Sequence, residues 1–202
     1  MGFKVLPVPD GYIASVITHL EMFALPANRP PRPRDSLSVA YVEDPAVDWY
    51  LPLFRQIGEE WLWFSRLMLP EERLAEILSD PDNAVYVICD SGREVGLLEF
   101  NWRERPDCEI SFFGLVPEAI GIGAGAWLMA EAQRLAFSQG AERLWLHTCT
   151  LDHPKALPFY IRQGFIPFKR EIEYAPDPRL TGDIRPDAAA FHPVIHVRLP
   201  GA

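Results

Sequence analysis

The sequence is short of features that would assign it to several large classes of protein. Its three cysteines, Cys89, Cys108 and Cys149, are an odd number without a CxxC pair, which argues against a disulfide framework and a zinc site. Apolar runs stay well below the roughly 18 residues of a membrane-spanning helix. The start, MGFKVLPVPD, lacks the apolar core of a signal peptide. We therefore expect a cytoplasmic protein with reduced thiols, no metal and no membrane contact.

Positive charge is also scarce. The chain of 202 residues carries 19 Lys and Arg against 28 Asp and Glu, a net charge of −9, and no long basic cluster offsets it. Proteins that bind nucleic acids neutralise phosphates with basic side chains, so nucleic-acid binding as the main role is disfavoured. An acidic surface is better suited to a cationic or neutral small molecule.

Proline, in contrast, is abundant and unevenly distributed. Six of the 20 prolines lie in residues 7–33 and five lie from Pro176 onward. This predicts a Pro-rich N-terminal arm over residues 1–36, with an added strand at residues 12–23, followed by a domain over residues 37–202. The compact core of that domain is expected over residues 37–174, and the C-terminal segment is expected to be looser.

Hydrophobic periodicity predicts helices mixed with strands around one sheet. A long helix is expected over residues 48–69, where apolar side chains recur near helical spacing, and a second helix begins at Pro70. The predicted strands are SLSVAYVED, NAVYVICD, VGLLEFNW, CEISFFGLV, RLWLHTCT and FIPFKREIEY, with FHPVIHVRL as a further candidate. Each cysteine falls in a strand-like run and is expected to be buried. This order indicates an α/β (α+β) domain.

A glycine cluster precedes a predicted helix of about 15 residues. Gly114, Gly121, Gly123 and Gly125 lie within FFGLVPEAIGIGAGAWLMAEAQRLA. Glycine lets backbone amides approach a ligand, and a helix N-terminus adds unpaired donors and positive partial charge. Together they indicate an anion cradle suited to a pyrophosphate, although a plain tight turn is the alternative. The cluster lacks GK[ST] and does not match GxGxxG, which argues against a P-loop or a Rossmann site.

A second motif, HPKALPFYIRQGF, follows the loop by about 30 residues, and the pair resembles the GNAT superfamily of acyl-CoA N-acyltransferases. The resemblance covers residues 37–174 and places Ala156, Tyr160 and Gly164 at matching positions. It implies a mixed, mostly antiparallel central sheet flanked by helices on both faces. Two positions depart from the family pattern: Ile120 replaces a frequent Arg or Gln, and His153 replaces an Asn.

The resemblance implies an N-acetyltransferase that moves an acetyl group from acetyl-CoA to a primary amine by direct attack, without a metal. The acceptor is a small-molecule amine or a peptide amine, and a homodimer stays open because dimers are common in the family. The strand ending at Val116 is expected to run beside the pantetheine arm and to offer a backbone N–H to the thioester oxygen. The implied coenzyme contacts are Leu115, Val116, Gly121, Ile122, Gly123, Ala124, Gly125, Ala126, His153, Ala156 and Tyr160.

Three side chains are candidates for proton transfer. An alkyl ammonium must lose a proton before it can attack, and Glu109 and Glu99 both lie on apolar strands. Glu109 is preferred because EISFFGLV looks like the strand that carries the base in the histone-acetyltransferase branch. A structural carboxylate is the alternative for each. Tyr160 matches the family's general acid, with aromatic packing as its alternative role.

The segment EEWLWFSRLML is expected to form the acceptor side of the site through Trp61, Trp63 and Arg66, with ordinary helix packing as the alternative. His147, in the middle of an apolar strand, is interpreted as a core residue. An acyl-CoA-binding sensor without turnover stays open as a second function, because Ile120 removes one anchoring side chain. A nucleotide-binding oxidoreductase is a weaker alternative, since the glycine spacing does not fit.

Overall fold

The structure, a computed structural model, describes residues 2–3, 5–121 and 123–197. Within these ranges the chain forms one seven-stranded sheet with the order β2-β3-β4-β5-β6-β1-β7. The strands are β1 (Tyr12–Met22), β2 (Leu37–Tyr41), β3 (Asn83–Asp90), β4 (Arg93–Asn101), β5 (Asp107–Leu115), β6 (Arg143–Cys149) and β7 (Ile166–Pro176). Of the strand pairs described, β5–β6 is parallel and the others are antiparallel. The predicted mixed, mostly antiparallel sheet is therefore confirmed.

Helices cover both faces of this sheet, as predicted. They are α1 (Val47–Gly58), α2 (Glu71–Leu78), α3 (Ala124–Ser138), α4 (Ala156–Arg162) and α5 (Pro178–Thr181). Successive residues of β4 show the two faces, because Leu97 packs in the cluster with α1 and α2 whereas Leu98 packs in the cluster with α3. Both side chains are fully buried. The sheet thus separates two apolar cores.

The N-terminal strand β1 lies inside the sheet rather than at its edge. It pairs antiparallel with β6, where Ile17 faces Cys149, and with β7, where Val16 faces Ile172. Its apolar residues Leu20 and Met22 are buried in the core beside α3. The strand predicted for residues 12–23 is confirmed, and the segment set apart as an arm contributes an internal strand and core side chains.

The long helix predicted over residues 48–69 is wrong beyond Gly58. A 3₁₀ turn, Glu59–Trp61, follows α1, and Leu62 then adopts a left-handed conformation with φ of 52°. The chain folds back so closely that a Cβ on Gly58 would lie 2.4 Å from the Trp63 ring. Glycine permits this approach because it has no side chain. Helical periodicity did not reveal the reversal, since Trp63 is apolar whether it continues a helix or folds back.

The C-terminal segment also differs from the prediction. Residues 191–197 form no strand, and residues 198–199 lie outside the described residues. Arg179, only 5% exposed, instead organises the segment: its guanidinium pairs with Asp177 at 2.7 Å and donates to the carbonyls of Ala188 and His192. Ile184 of the same C-terminal segment packs into a small apolar cluster against the loop after α1. The segment therefore covers that loop.

The thiols differ in exposure. All three cysteines are free, and Cys108 is buried, but Cys89 and Cys149 are partly exposed, so the expectation that every thiol is buried is wrong for these two. Burial raises the pKa of the Cys149 thiol, with a further contribution from Asp152.

None of the helices in the described ranges has the length and apolar character needed to cross a bilayer.

Candidate active site

The site lies where the two parallel strands of the sheet separate. β5 and β6 pair only from Asp107 and Arg143 to Ile110 and Leu146. A bulge on β5 begins directly afterwards, because Ile110 faces Phe100 while Phe112 faces Glu99, which leaves an extra residue between them. A cavity of about 180 Å³ occupies the gap beyond the paired residues. It is lined by β5, β6, the loop after α1, and Tyr160 of α4.

The backbone of β5 beside the gap corrects one expectation. The amide of Val116 donates to the carbonyl of Val95 at 2.9 Å, so it belongs to the β4–β5 ladder and is not free for a thioester oxygen. Hydrogen-bonding direction alternates along an antiparallel strand. The amide and carbonyl of Leu115, one residue earlier, therefore point away from β4, toward the gap. Leu115 has the geometry that the sequence analysis assigned to Val116.

The glycine loop leads directly into α3. Gly123 is the N-cap with φ of 85°, and the helix start lacks a side-chain cap. The first backbone bond of the helix runs from Trp127 to Gly123 at 3.3 Å, so the preceding amides, those of Ala124, Gly125 and Ala126, have no carbonyl partner within the helix. Gly121 has φ of 91° and open space around the position of a Cβ. These amides fit an anion; Ile122, also predicted here, lies outside the described residues.

A basic segment that the sequence analysis did not connect with the site lies beside this loop. A Cβ on Gly123 would lie 3.6 Å from Pro33, and the guanidinium of Arg32 stacks over the ring of Trp127 at 5.4 Å. Ile120, at the position where the family often has Arg or Gln, is 52% exposed. The segment NRPPRPRD gave a composition signal but no indication of where it packs.

Tyr160 reaches the cavity from α4. Its ring packs edge-on against Phe113 at 6.2 Å and against Phe165 at 6.3 Å. Its hydroxyl has no hydrogen-bond partner among the residues that the structure describes. Burial, with a smaller contribution from Asp152, raises the pKa of the Tyr160 phenol. The phenol therefore keeps its proton at neutral pH and faces a space where it can donate it.

Asp152 connects several parts of the site and was missed as a site residue. Its carboxylate accepts from the Thr148 hydroxyl at 2.6 Å, from the Cys149 amide at 2.9 Å and from the Trp63 indole N–H at 3.2 Å. It thereby fixes the end of β6 and the orientation of one cavity wall. The sequence signal is weak, because an Asp just after a strand is common in turns.

The acceptor-side predictions divide into two groups. Trp61 and Trp63 line the cavity, whereas Arg66 does not. Arg66 forms an ion pair with Glu99 and lies over the ring of Phe112, 5.1 Å from its centroid. It thus supports the Phe112 wall from behind.

The residues predicted at the start of the second motif lie at the rim of the cavity. The rings of His153 and Trp61 pack at a tilt of 58° with centroids 4.7 Å apart, and His153 Nδ1 accepts from the amide of Lys155 at 3.0 Å. Ala156 is the first residue of α4. The N-cap position of α4 is Lys155, and no side chain caps this helix.

Glu99 is enclosed in the core. Its side chain is fully buried, Oε2 accepts from the Tyr50 hydroxyl at 2.6 Å, and Oε1 is paired with Arg66. Burial, together with the charge of Glu99, raises the pKa of Tyr50 well above its ordinary value. Both carboxylate oxygens are therefore occupied by donors from the protein.

Glu109 has a different environment on β5. Its side chain is 16% exposed, Oε2 accepts from Asn101 at 3.1 Å, and Oε1 lies 3.6 Å from Nδ1 of His147. The interpretation of His147 as a core residue is wrong, because its side chain is 45% exposed and lines the cavity. The Glu109 carboxylate raises the pKa of His147 against the opposing effect of burial. An acid–base pair thus lies at the point where the strands separate.

Comparison with known proteins agrees with this architecture. Uncharacterized N-acetyltransferases of Mycobacterium bovis and Mycobacterium tuberculosis are 35% identical to the chain over 97 residues, which is 48% of this chain and 62% of theirs. The chain therefore spans less than two thirds of these relatives. A GCN5-related N-acetyltransferase from Sphaerobacter thermophilus superposes with a TM-score of 0.60 at 18% identity, over 82% of this chain and 53% of that chain.

A second solved structure is an aminoglycoside acetyltransferase from an uncultured soil metagenomic sample, in complex with sisomicin. It matches with a TM-score of 0.53 at 18% identity, over 64% of this chain and 88% of that chain. At these identities the structural matches show the fold. The sequence model of the Acetyltransferase (GNAT) family matches residues 44–165, more than half of the chain. On this evidence the protein belongs to the GNAT acetyltransferase family.

Proposed function

We propose that the protein is an acetyl-CoA-dependent N-acetyltransferase that acylates a primary amine by direct attack. The observation that carries this proposal is the gap between β5 and β6, which has unpaired helix amides beside it and a cavity with proton-transfer groups within it. Family membership supports acyl transfer as the reaction. Direct attack is favoured over a covalent enzyme intermediate, because burial raises the pKa of the Cys149 thiol and so disfavours the nucleophilic thiolate.

The coenzyme would be held mainly by backbone groups. The amides of Ala124, Gly125 and Ala126, with the open turn at Gly121 and Gly123, fit the pyrophosphate. The gap-facing backbone of Leu115 would pair with the pantetheine amides as a neighbouring strand does. Bound acetyl-CoA supplies the acetyl group as a reactive thioester. Arg32, which lies over Trp127 in the first turn of α3, would supply positive charge in place of the side chain missing at Ile120.

The side chains in the cavity would move the protons. Tyr160, whose hydroxyl is free and whose phenol stays protonated, would donate a proton to the departing thiolate. The group that takes a proton from the amine belongs to the Glu109–His147 pair. Glu99 is a poorer base, since Tyr50 and Arg66 occupy both of its oxygens. We assign Glu99 and Arg66 to holding the Phe112 wall in place.

The acceptor would be a cationic amine, small or at a peptide. Trp61 and Trp63 give the cavity an aromatic wall that favours a cation or an alkyl chain. Glu173 also lines the cavity, so the lining includes the carboxylates of Glu173 and Asp152. These charges attract a protonated amine to the position where a base must act.

Turnover of amines tests this function. Purified protein would be mixed with acetyl-CoA and a panel of diamines, polyamines, aminoglycosides and lysine peptides, with thiol release followed and products identified by mass. We expect a product heavier by one acetyl group. Tyr160→Phe should lower kcat about 100-fold, in the range of general acid catalysis, with little change in coenzyme binding. Tyr86→Phe, far from the cavity, is the control and should leave kcat unchanged.

The same experiment separates the alternative function. Saturable coenzyme binding without thiol release across the whole panel would support a sensor that binds acyl-CoA. The absence of Arg or Gln at Ile120 does not by itself favour the sensor. The unpaired amides at the start of α3 still form the cradle, and Arg32 lies over the first turn of that helix.

A further inference from the structure

We infer that His147 is the side chain that takes the proton from the amine, and that Glu109 positions and polarises it. The inference rests on the proposed function and divides the work between two residues of the same site. Sequence resemblance pointed to the carboxylate alone. In the structure the imidazole, not the carboxylate, lines the cavity.

The relative positions of the two side chains support this assignment. His147 is 45% exposed and faces the cavity, whereas Glu109 is 16% exposed and lies beside the imidazole. One oxygen of Glu109 accepts from Asn101, and the other lies 3.6 Å from Nδ1 of His147. A carboxylate at Nδ1 favours the tautomer with a proton there, which leaves Nε2 as the free base. The imidazole thus lies where a base can reach the substrate, and the carboxylate lies where it can orient the imidazole.

Carboxylates around His147 strengthen its basicity. From β1, His19 faces it with ring centroids 5.8 Å apart, and His19 is itself bound to Glu171 of β7 at 2.8 Å. The titratable groups that line the cavity together with His147 are Glu173 of β7, Asp152 after β6, Cys149 of β6 and Tyr160 of α4. Glu109, Asp152 and Glu173 all favour the protonated imidazole and raise the pKa of His147. A base with a raised pKa accepts a proton from an ammonium more readily.

The proton balance is complete with these residues. The acceptor arrives as R–NH₃⁺ and gives one proton to Nε2 of His147, which passes it to solvent. The amine nitrogen then forms a bond to the acetyl carbon while the carbon–sulfur bond breaks. Tyr160 gives its proton to the sulfur, and the proton lost from nitrogen as the amide forms restores the phenol. The net result is one amide, one thiol and one released proton.

The pH dependence of kcat/KM distinguishes His147 from Glu109. For the wild type we expect kcat/KM to fall as the pH is lowered, because the base must be deprotonated. The midpoint of this acid limb should lie above the ordinary histidine pKa of about 6.5, because the pKa of His147 is raised. Glu109→Gln removes the charge that raises this pKa, so the limb should move to lower pH and remain visible. His147→Gln should abolish the limb and lower kcat/KM about 100-fold or more. His196→Gln, an exposed histidine on the C-terminal segment, is the matched control and should keep both limb and rate.

A measurement without turnover makes the test independent of the proposed function. Proton NMR would follow the Cε1–H signals of the five histidines with pH, assigned by single substitutions. We expect His147 to titrate above its ordinary range in the wild type and lower in Glu109→Gln. Full activity in His147→Gln would overturn the inference. Loss of the acid limb of the kcat/KM profile in Glu109→Gln, while His147 titrates normally, would overturn it as well. Failure of the wild type to bind acetyl-CoA would instead overturn the proposed function.

Discussion

At the residue scale, two glutamates on neighbouring strands have very different surroundings. Glu99 is enclosed by Tyr50 and Arg66, whereas Glu109 contacts a histidine at the edge of a cavity. The local pattern did not separate them, since both follow apolar residues on predicted strands, and only a family resemblance favoured Glu109. The distinction depends on a bulge in β5 and on Arg66 reaching Glu99 from another segment, which are tertiary features.

Glu99→Gln tests the structural role of the buried carboxylate. The substitution leaves Arg66, with 15% of its side chain exposed, without a counter-charge. Removing one partner of a buried pair costs about 3 to 5 kcal/mol, so the free energy of unfolding in urea should fall by that amount. The folded fraction should keep most of its kcat. Glu94→Gln, at an exposed bond to Trp49, is the control and should change stability little.

A normal unfolding free energy combined with a large loss of kcat in Glu99→Gln would contradict this account and make Glu99 the base.

At the element scale, most strands and helices follow from local pattern. Alternating apolar residues and the turn between them predict the hairpin of β3 and β4, and the structure has it there. Gly140 predicts the end of α3, which the structure places at Ser138. The failures lie where chain reversal decides the structure. The helix α1 ends at Gly58, where Trp63 folds back onto it. Residues 191–197 form no strand, and buried Arg179 holds the carbonyl of His192.

Gly58→Ala tests how the loop after α1 shapes the cavity. The added methyl would overlap the Trp63 ring, so the loop must move and stability should fall by about 1 to 3 kcal/mol. Because Trp63 forms a wall of the cavity, KM for the amine should rise more than KM for acetyl-CoA. Gly92→Ala is the matched control. Its φ of 80° makes the substitution strained, but it has open space and should affect stability without changing either KM.

An unchanged amine KM in Gly58→Ala, with stability lowered as expected, would show that the loop does not form the acceptor wall.

At the scale of the whole molecule, the N-terminal strand completes the sheet. β1 lies between β6 and β7, so without it β7 has no neighbour, β6 keeps only its short pairing with β5, and Leu20 and Met22 leave the core. Local sequence pattern revealed this strand but could not reveal its position, because pairing between distant segments leaves no local signal. The same holds for the linker that brings Arg32 beside α3.

A shortened chain tests this arrangement. A chain beginning at Leu37 should fail to show a cooperative thermal transition by circular dichroism, because β6 and β7 would expose unpaired backbone groups. A chain beginning at Pro9, which removes only residues that precede β1, should melt within a few degrees of the full chain. Cooperative melting of the chain from Leu37 near the same temperature would show that β1 is dispensable.

The site was predictable to the extent that it depends on local motifs. The glycine loop follows from its own residues, and Tyr160 from the resemblance of a short motif to the family. In the structure Tyr160 lines the cavity, and a Cβ on Gly125 would lie 3.9 Å from Leu115. His147 was misassigned and Asp152 was missed, because their position at the cavity depends on where β5 and β6 separate. That separation is a property of the sheet, and single-strand patterns do not encode it.

The central claim is that the gap between β5 and β6, with the helix start beside it, binds acetyl-CoA. Calorimetric titration of the full chain with acetyl-CoA, with NAD as the comparison, tests it most directly. The account predicts saturable one-to-one binding of acetyl-CoA and no binding of NAD. It also predicts that Tyr160→Phe retains this affinity. The absence of saturable binding to acetyl-CoA and to longer acyl-CoAs would contradict it.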